Sequence, residues 1–372
     1  RRIGRVMGIV GVPMLMGPII GPVLGGWLVD DVSWRWIFYV NLPIGAVALA
    51  AALRLLPRDE PAHDERLDWF GLALLSPGLA AFVYGLAETS SSGGVGSAQA
   101  LVPMLAGLAL IVAFVAHVLR SAWPLIDLKL FRNTTMSAAS ASTFAFAAAM
   151  FSAMFLLPLY YQVVRGQSAL DAGLLLAPQG LGAAIMMPIA GKLTDQTGPG
   201  KVVLGGLGFL LLGMAGFTQV GAHTSFWLLG GCQFLMGLGM GASMMPAMTA
   251  AYQTIERPQM ARATTALNII QRVGGSIGVA LLSVVLTHQL SSRVPGSSGS
   301  EGALGAAQAA SARARDQVAP RIAEAFGHTF WWGLGIIVLA VIPALLLPRR
   351  KPPVHEADAV PAEAQAEAVA AA

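Results

Sequence analysis

Residues 8–26 read Gly8-Ile9-Val10-Gly11-Val12-Pro13-Met14-Leu15-Met16-Gly17-Pro18-Ile19-Ile20-Gly21-Pro22-Val23-Leu24-Gly25-Gly26. Within this apolar stretch, Gly8, Gly17, Gly21, Pro22, Gly25 and Gly26 form the pattern G-x8-G-x3-G-P-x2-G-G. Six specified positions at fixed offsets are hard to obtain by chance, even in a chain with 43 glycines. Gly17, Gly21 and Gly25 recur every four residues. On a helix they share one smooth face, which a neighbouring backbone can approach closely. Pro22 removes a helical hydrogen bond and invites a bend. A smooth, bendable face suggests helices that slide or rock against each other inside a membrane; close packing without gating needs the same small face and stays open as a reading.

Composition points to the same setting. The 372 residues are 55% hydrophobic and 11% charged, with a mean hydropathy of +0.67, whereas soluble proteins carry about 25% charged residues. The apolarity comes in repeated runs with polar gaps, which excludes a single-pass receptor and predicts an all-α polytopic membrane protein. The net charge of +4 is spread over loops that flank apolar runs. It reads as topology charge and not as a nucleic-acid surface. Cys232, the sole cysteine, excludes disulfides within the chain and argues against a cysteine metal site; packing is its expected role. The six histidines show no H-E-x-x-H or paired ligand spacing, so no metal and no cofactor is expected. No G-x-x-x-x-G-K-[ST] loop supports ATP-driven transport, and no catalytic constellation supports an enzyme. The chain begins at Arg1 without a signal peptide and reads as if it starts inside a longer protein.

Ten membrane spans are expected at about 20 residues each. They are Met7–Val29, Trp36–Leu56, Trp69–Ala87, Leu101–Leu119, Met136–Val164, Ala172–Leu193, Val202–Val220, Phe226–Ala250, Ala263–Thr287 and Phe330–Leu347. Helices are favoured because each segment must satisfy its own backbone in lipid, and the period-two pattern of a membrane barrel is absent. With the start of the chain in the cytoplasm, 16 of the 23 Lys and Arg fall inside and 6 outside, and Arg272 lies within a span. Both ends are therefore expected in the cytoplasm of a cell (inner or plasma) membrane protein. Trp34, Trp36 and Trp69 suit an interfacial belt. Ser291–Gln317 reads as most of a long external loop, and the Ala/Glu/Pro-rich end from Pro352 as disordered.

An internal echo supports two halves. Sliding Arg5–Gly21 onto Arg262–Gly278 pairs Arg5 with Arg262, Gly17 with Gly274 and Gly21 with Gly278. Both segments enter the membrane in the same direction, as a parallel repeat requires.

The ladder resembles the antiporter motif of the major facilitator superfamily, found in the fifth helix of its drug/proton exporters. Trp34-Arg35-Trp36-Ile37-Phe38-Tyr39-Val40-Asn41-Leu42-Pro43-Ile44-Gly45 is similar to the following loop and helix of the fourteen-span drug/proton antiporters. Leu159-Tyr160-Tyr161-Gln162 with Gly166, Ser168, Ala172-Gly173 and Pro178, and Asn268 with Gly274-Gly275-Ser276-Ile277-Gly278, resemble later parts of that family. The resemblance implies a major facilitator fold lacking its first four helices. Its expected segments are 1–56, the last two helices of the N-terminal bundle; 57–135, a two-helix insertion and linker; 136–348, a complete C-terminal six-helix bundle; and 349–372, a cytoplasmic tail. Gly191, Asp195, Gly198 and Lys201 resemble the superfamily's cytoplasmic loop motif, with Gln196, Pro199 and Gly200 replacing basic residues. Asp195 there is expected to cap or oppose a helix N-terminus; an ordinary polar turn is the alternative.

Arg272 is the sharpest single residue. It lies about 15 Å into its span at 1.5 Å per residue, a depth where a charge usually faces a cavity or a partner. Asn268 and Gln271 flank it. A later start to the span would instead leave Arg272 near the headgroups. Gln162, Phe151, Phe155 and Gln179 complete the expected cavity, since aromatic and Met side chains suit a promiscuous, cation-tolerant pocket; Gln233 is a weaker polar candidate. No Asp or Glu falls in the middle of a span, so the proton-carrying carboxylate is expected in helices outside this chain. The reading is a secondary exporter of hydrophobic or cationic drugs, exchanged for protons across the bilayer by alternating access. A periplasmic adaptor is left open. The alternative is a non-transporting remnant or an assembly subunit.

Overall fold

The computed structural model describes residues 17, 20–55, 68–89, 96–121, 124–252, 255, 259–293 and 312–349. Gly8 and most of the first expected span lie outside the described residues, as does the tail from Arg350. All regular elements among the described residues are helical. Among the described residues, nine helical segments are long and apolar enough to cross a membrane.

Helix α1 (20–27) runs into a π-helical turn at Leu28–Val32. The next expected span is broken into α2 (Trp36–Tyr39) and α3 (Asn41–Leu55). Pro43 has no N–H to offer the Tyr39 carbonyl, and the Asn41 side-chain amide donates instead to the Ile37 carbonyl at 2.7 Å. Helices α4 (Trp69–Glu88) and α5 (Ala98–Val118) form a hairpin, N-capped by Asp68 and Ser97. Its foot is anchored. The Asp68 carboxylate lies 2.9 Å from His117 Nε2 and accepts from the amides of Gly71 and Leu125 at 2.8 and 3.3 Å. Burial pushes its pKa up, but these three hydrogen bonds prevail and hold it below the ordinary 3.8. Leu75, Phe114, Val118 and Ile126 then pack against Ala266 of the tenth helix.

The remaining helices form one bundle: α6 (Thr134–Val163), α7 (Ala169–Thr197), α8 (Pro199–Phe217), α9 (Phe226–Tyr252), α10 (Met260–Arg293) and α11 (Ala312–Ala344). Asn133 caps α6 and Ser168 caps α7. Helices α7 and α8 pack on α9, while α10 and α11 pack on α6. The α6–α10 contact is close because Gly278 has no side chain: a Cβ there would fall on the Ala148 backbone. Tyr160, Tyr161, Phe217, Phe326 and Phe330 are fully buried and fill one end. There the Tyr160 hydroxyl donates to the Gly221 carbonyl at 2.8 Å. Arg165 donates to the carbonyls of Ala222 and Thr224 and lies 4.2 Å over the Phe226 ring, which pins the α6–α7 turn to the α8–α9 turn.

One boundary differs from the sequence reading. Ser291–Arg293 belong to α10, and Ala312–Gln317 open α11, so both ends of the expected external loop are helical; residues 294–311 lie outside the described residues. Hydropathy finds only the apolar part of a helix, whereas Ala, Arg and Glu propagate it in water as well. At 33 and 34 residues, α11 and α10 each extend about 50 Å at 1.5 Å per residue, well beyond a hydrocarbon core of about 30 Å.

Candidate functional site

A cavity of about 320 Å³ lies between α1 and the bundle, lined by Gly17, Pro22, Met150, Met154, Leu176, Gln179, Gly180 and Met240. The ladder supplies one wall, and α6, α7 and α9 supply the others. Among the described residues the lining carries no charge. Three methionines give a polarizable, adaptable surface. Gln179 gives the single side-chain amide, and its Nε2 lies 3.8 Å from Met150 Sδ. Pro178 precedes it inside α7 and frees the carbonyl of the preceding turn.

At one end of the cavity α1 and α7 touch. A Cβ at Gly26 would fall on the Ala169 and Leu170 backbone, and one at Gly173 on the Pro22 and Val23 backbone. Beyond this contact, Asp30 Oδ2 accepts the Leu170 amide at 2.6 Å. A carboxylate at that helix N-terminus adds favourable charge to the cap made by Ser168. Gly17, Gly21 and Gly25, by contrast, have open space beside them. The contact stripe is therefore 22, 23 and 26, one step round the helix from the every-four glycine column. Sequence spacing identified the small face but not its rotation, which the partner helix decides.

The other expected residues separate. Phe151 is exposed and lies over Gly275 of α10. Phe155 is exposed one turn further along α6. Asn268, Arg272 and Ser276 form an exposed column on α10, which lines none of the described cavities. Gln271 instead turns into a narrow crevice with Ser142, Thr143 and Ser243. Gln162 is half-buried and lines none of these cavities. Gln233 is fully buried, and its amide donates to the Tyr161 hydroxyl at 2.8 Å.

In the loop motif, Gly198 adopts φ 88°, a backbone region that favours glycine, between α7 and α8. Gly191 and Lys201 are exposed. The expected cap by Asp195 is not made: Asp195 is exposed within α7, and the N-cap position of α8 is Gly198, with no side-chain cap. Pro199 occupies the first helical position, where a missing N–H costs nothing. Sequence reasoning missed Leu176, Gly180 and Met240 in the lining and Asp30 at α7. No local pattern marks them, because they meet only through helix packing.

Long apolar helices, with a cavity between α1 and a six-helix bundle, fit a multi-pass membrane protein. Comparison with known proteins gives its family. The model described as Major Facilitator Superfamily matches residues 1–279, and the chain belongs to that superfamily. It is 41% identical over 367 residues to the Multidrug resistance protein B homolog of Mycobacterium tuberculosis, covering 94% of this chain and 68% of that protein. It is 32% identical over 286 residues to the uncharacterized MFS-type transporter YhcA of Bacillus subtilis, covering 77% and 54%. It is 28% identical over 284 residues to the Lincomycin resistance protein LmrB of Listeria monocytogenes, covering 76% and 60%. The chain is thus a multi-pass transporter of this superfamily with multidrug-efflux homologues, and it spans between 54% and 68% of the length of these three.

Proposed function

We propose that this chain forms most of a secondary multidrug exporter of the cell membrane. Hydrophobic or cationic compounds leave the cytoplasm in exchange for protons, by alternating access around the 320 Å³ cavity. The observation that carries this reading is the composition of that cavity: ladder residues face methionines and one glutamine, a soft neutral surface that accepts many shapes. The α1–α7 contact through Gly26, Gly173 and Asp30 closes one end and is the gate in this reading. The distribution of basic residues supports both ends in the cytoplasm and places that gate on the outer side. Segments 1–56, 57–135, 136–348 and 349–372 are assigned as N-bundle remainder, insertion, C-bundle and tail. Among the described residues the cavity lining holds no titratable side chain, and in this reading the proton is carried by a carboxylate beyond it. The test is dye efflux from cells expressing the full gene. Efflux that stops when an uncoupler collapses the proton gradient, with ATP maintained, supports the reading. Efflux that persists sinks the proton coupling, and efflux that never exceeds the vector control sinks the export reading and favours the non-transporting alternative.

A further inference from the structure

Buried serine and threonine hydroxyls in this bundle normally close on their own helix. Ser152, Thr194, Thr287 and Thr329 donate to the carbonyl four residues back at 2.6, 2.7, 2.9 and 2.8 Å, the usual way to satisfy such a group in a membrane helix. Ser140, Ser142, Thr143 and Ser243 do not, and the last three share a site. All three are at least nine-tenths buried, and their hydroxyls have no hydrogen-bond partner among the described residues. They come from two different helices, α6 and α9, yet line one crevice of about 10 Å³, with Gln271 of α10 on its wall.

A neighbouring crevice of about the same volume is lined only by apolar side chains, among them Met214 and Met236. Phe146 and Leu207 line both and form the wall between them. Equal size with opposite chemistry sorts the two. An apolar void of this size stays dry, while one bordered by several unpaired polar groups takes up water. The volume suits a single water molecule. A bare cation fits poorly, because the lining holds no carboxylate and a buried unpaired ion is far costlier than a neutral water.

We propose that the crevice bounded by Ser142, Thr143, Ser243 and Gln271 is a water-binding site that joins α6, α9 and α10. The bound water accepts from and donates to the hydroxyls in turn. The three helices thus stay hydrogen-bonded through a joint that exchanges partners when they shift, which a direct bond would not allow. This inference is independent of the export reading.

The test is millisecond radiolytic labelling of the full-length protein in lipid nanodiscs, because bound water generates hydroxyl radicals beside it. Met244 and Met248 line the polar crevice and serve as reporters; Met214 and Met236 are the dry controls. Met244 and Met248 are expected to oxidise severalfold faster than the controls, and Ser142→Ala/Ser243→Ala is expected to remove that excess. Thr143→Val, nearly isosteric, gives the same comparison should the double variant fail to fold. Equal oxidation at all four methionines, or an excess that survives in the folded variants, overturns the proposal. So does an excess that vanishes when choline replaces sodium, which would mark a cation site.

Discussion

Among the described residues of the cavity lining, Gln179 is the only side chain able to hydrogen-bond a ligand strongly, so its removal should be felt by some substrates and not by others. Gln179→Leu is expected to weaken binding of ligands carrying a polar group by roughly fivefold, about 1 kcal/mol, and to leave purely apolar ligands within twofold or so by the same measure. Competition binding with a matched ligand pair checks this; equal loss for both would mean that Gln179 only packs. Asp68 permits a pH prediction. Its folded pKa lies below the ordinary 3.8, so it contributes stability above that value and loses it as pH falls through the lower, folded value. The α4–α5 foot should therefore hold at pH 5 and release only below about 3.8, as hydrogen exchange at Gly71 and Leu125 would report. Asp68→Asn should give a weakened foot already at neutral pH. Release of native protein already at pH 5 to 6 would overturn this assignment.

Among the helices, the ladder makes the sharpest contrast. The motif treats its glycines alike, but the structure does not: Gly26 is pressed on the α7 backbone while Gly21 has open space beside it. Gly26→Ala should cost about 1–3 kcal/mol by forcing α1 and α7 apart. Gly21→Ala should stay within about 0.5 kcal/mol. Thermal stability in detergent separates the two, and equal effects would refute the contact stripe described here. The same comparison shows what could be read from the sequence. Apolar runs placed α6, α7, α8 and α9 to within four residues at each end, since twenty apolar residues must become a helix in lipid. Gln179, expected at a cavity, and Gly17 and Pro22 of the ladder line the described cavity. The structure does not bring Asn268, Gln271 and Arg272 together. Gln271 and Arg272 are neighbours, and on a helix neighbours point about 100° apart, so one enters a crevice while the other stands on the exposed face. The extension of α11 back to Ala312 was hidden because its first turns are not apolar.

For the molecule as a whole, the decisive question is whether the α1–α7 contact opens. Cys232 is buried and is the sole native cysteine, so paired cysteines can be introduced without competing exposed thiols. Val23→Cys with Gly173→Cys places a pair where the two backbones already touch. Oxidation is expected to stop export and reduction to restore it, as dye efflux from vesicles would show. Undiminished export by the cross-linked protein would mean that this contact does not gate. The long helices have a practical consequence as well. Each of α10 and α11 exceeds the hydrocarbon thickness by about 20 Å, and they flank residues 294–311. A rigid helical domain grafted in continuous register onto these two stems would move with the bundle. It would supply the asymmetric fiducial that a small particle inside a micelle otherwise lacks for image alignment.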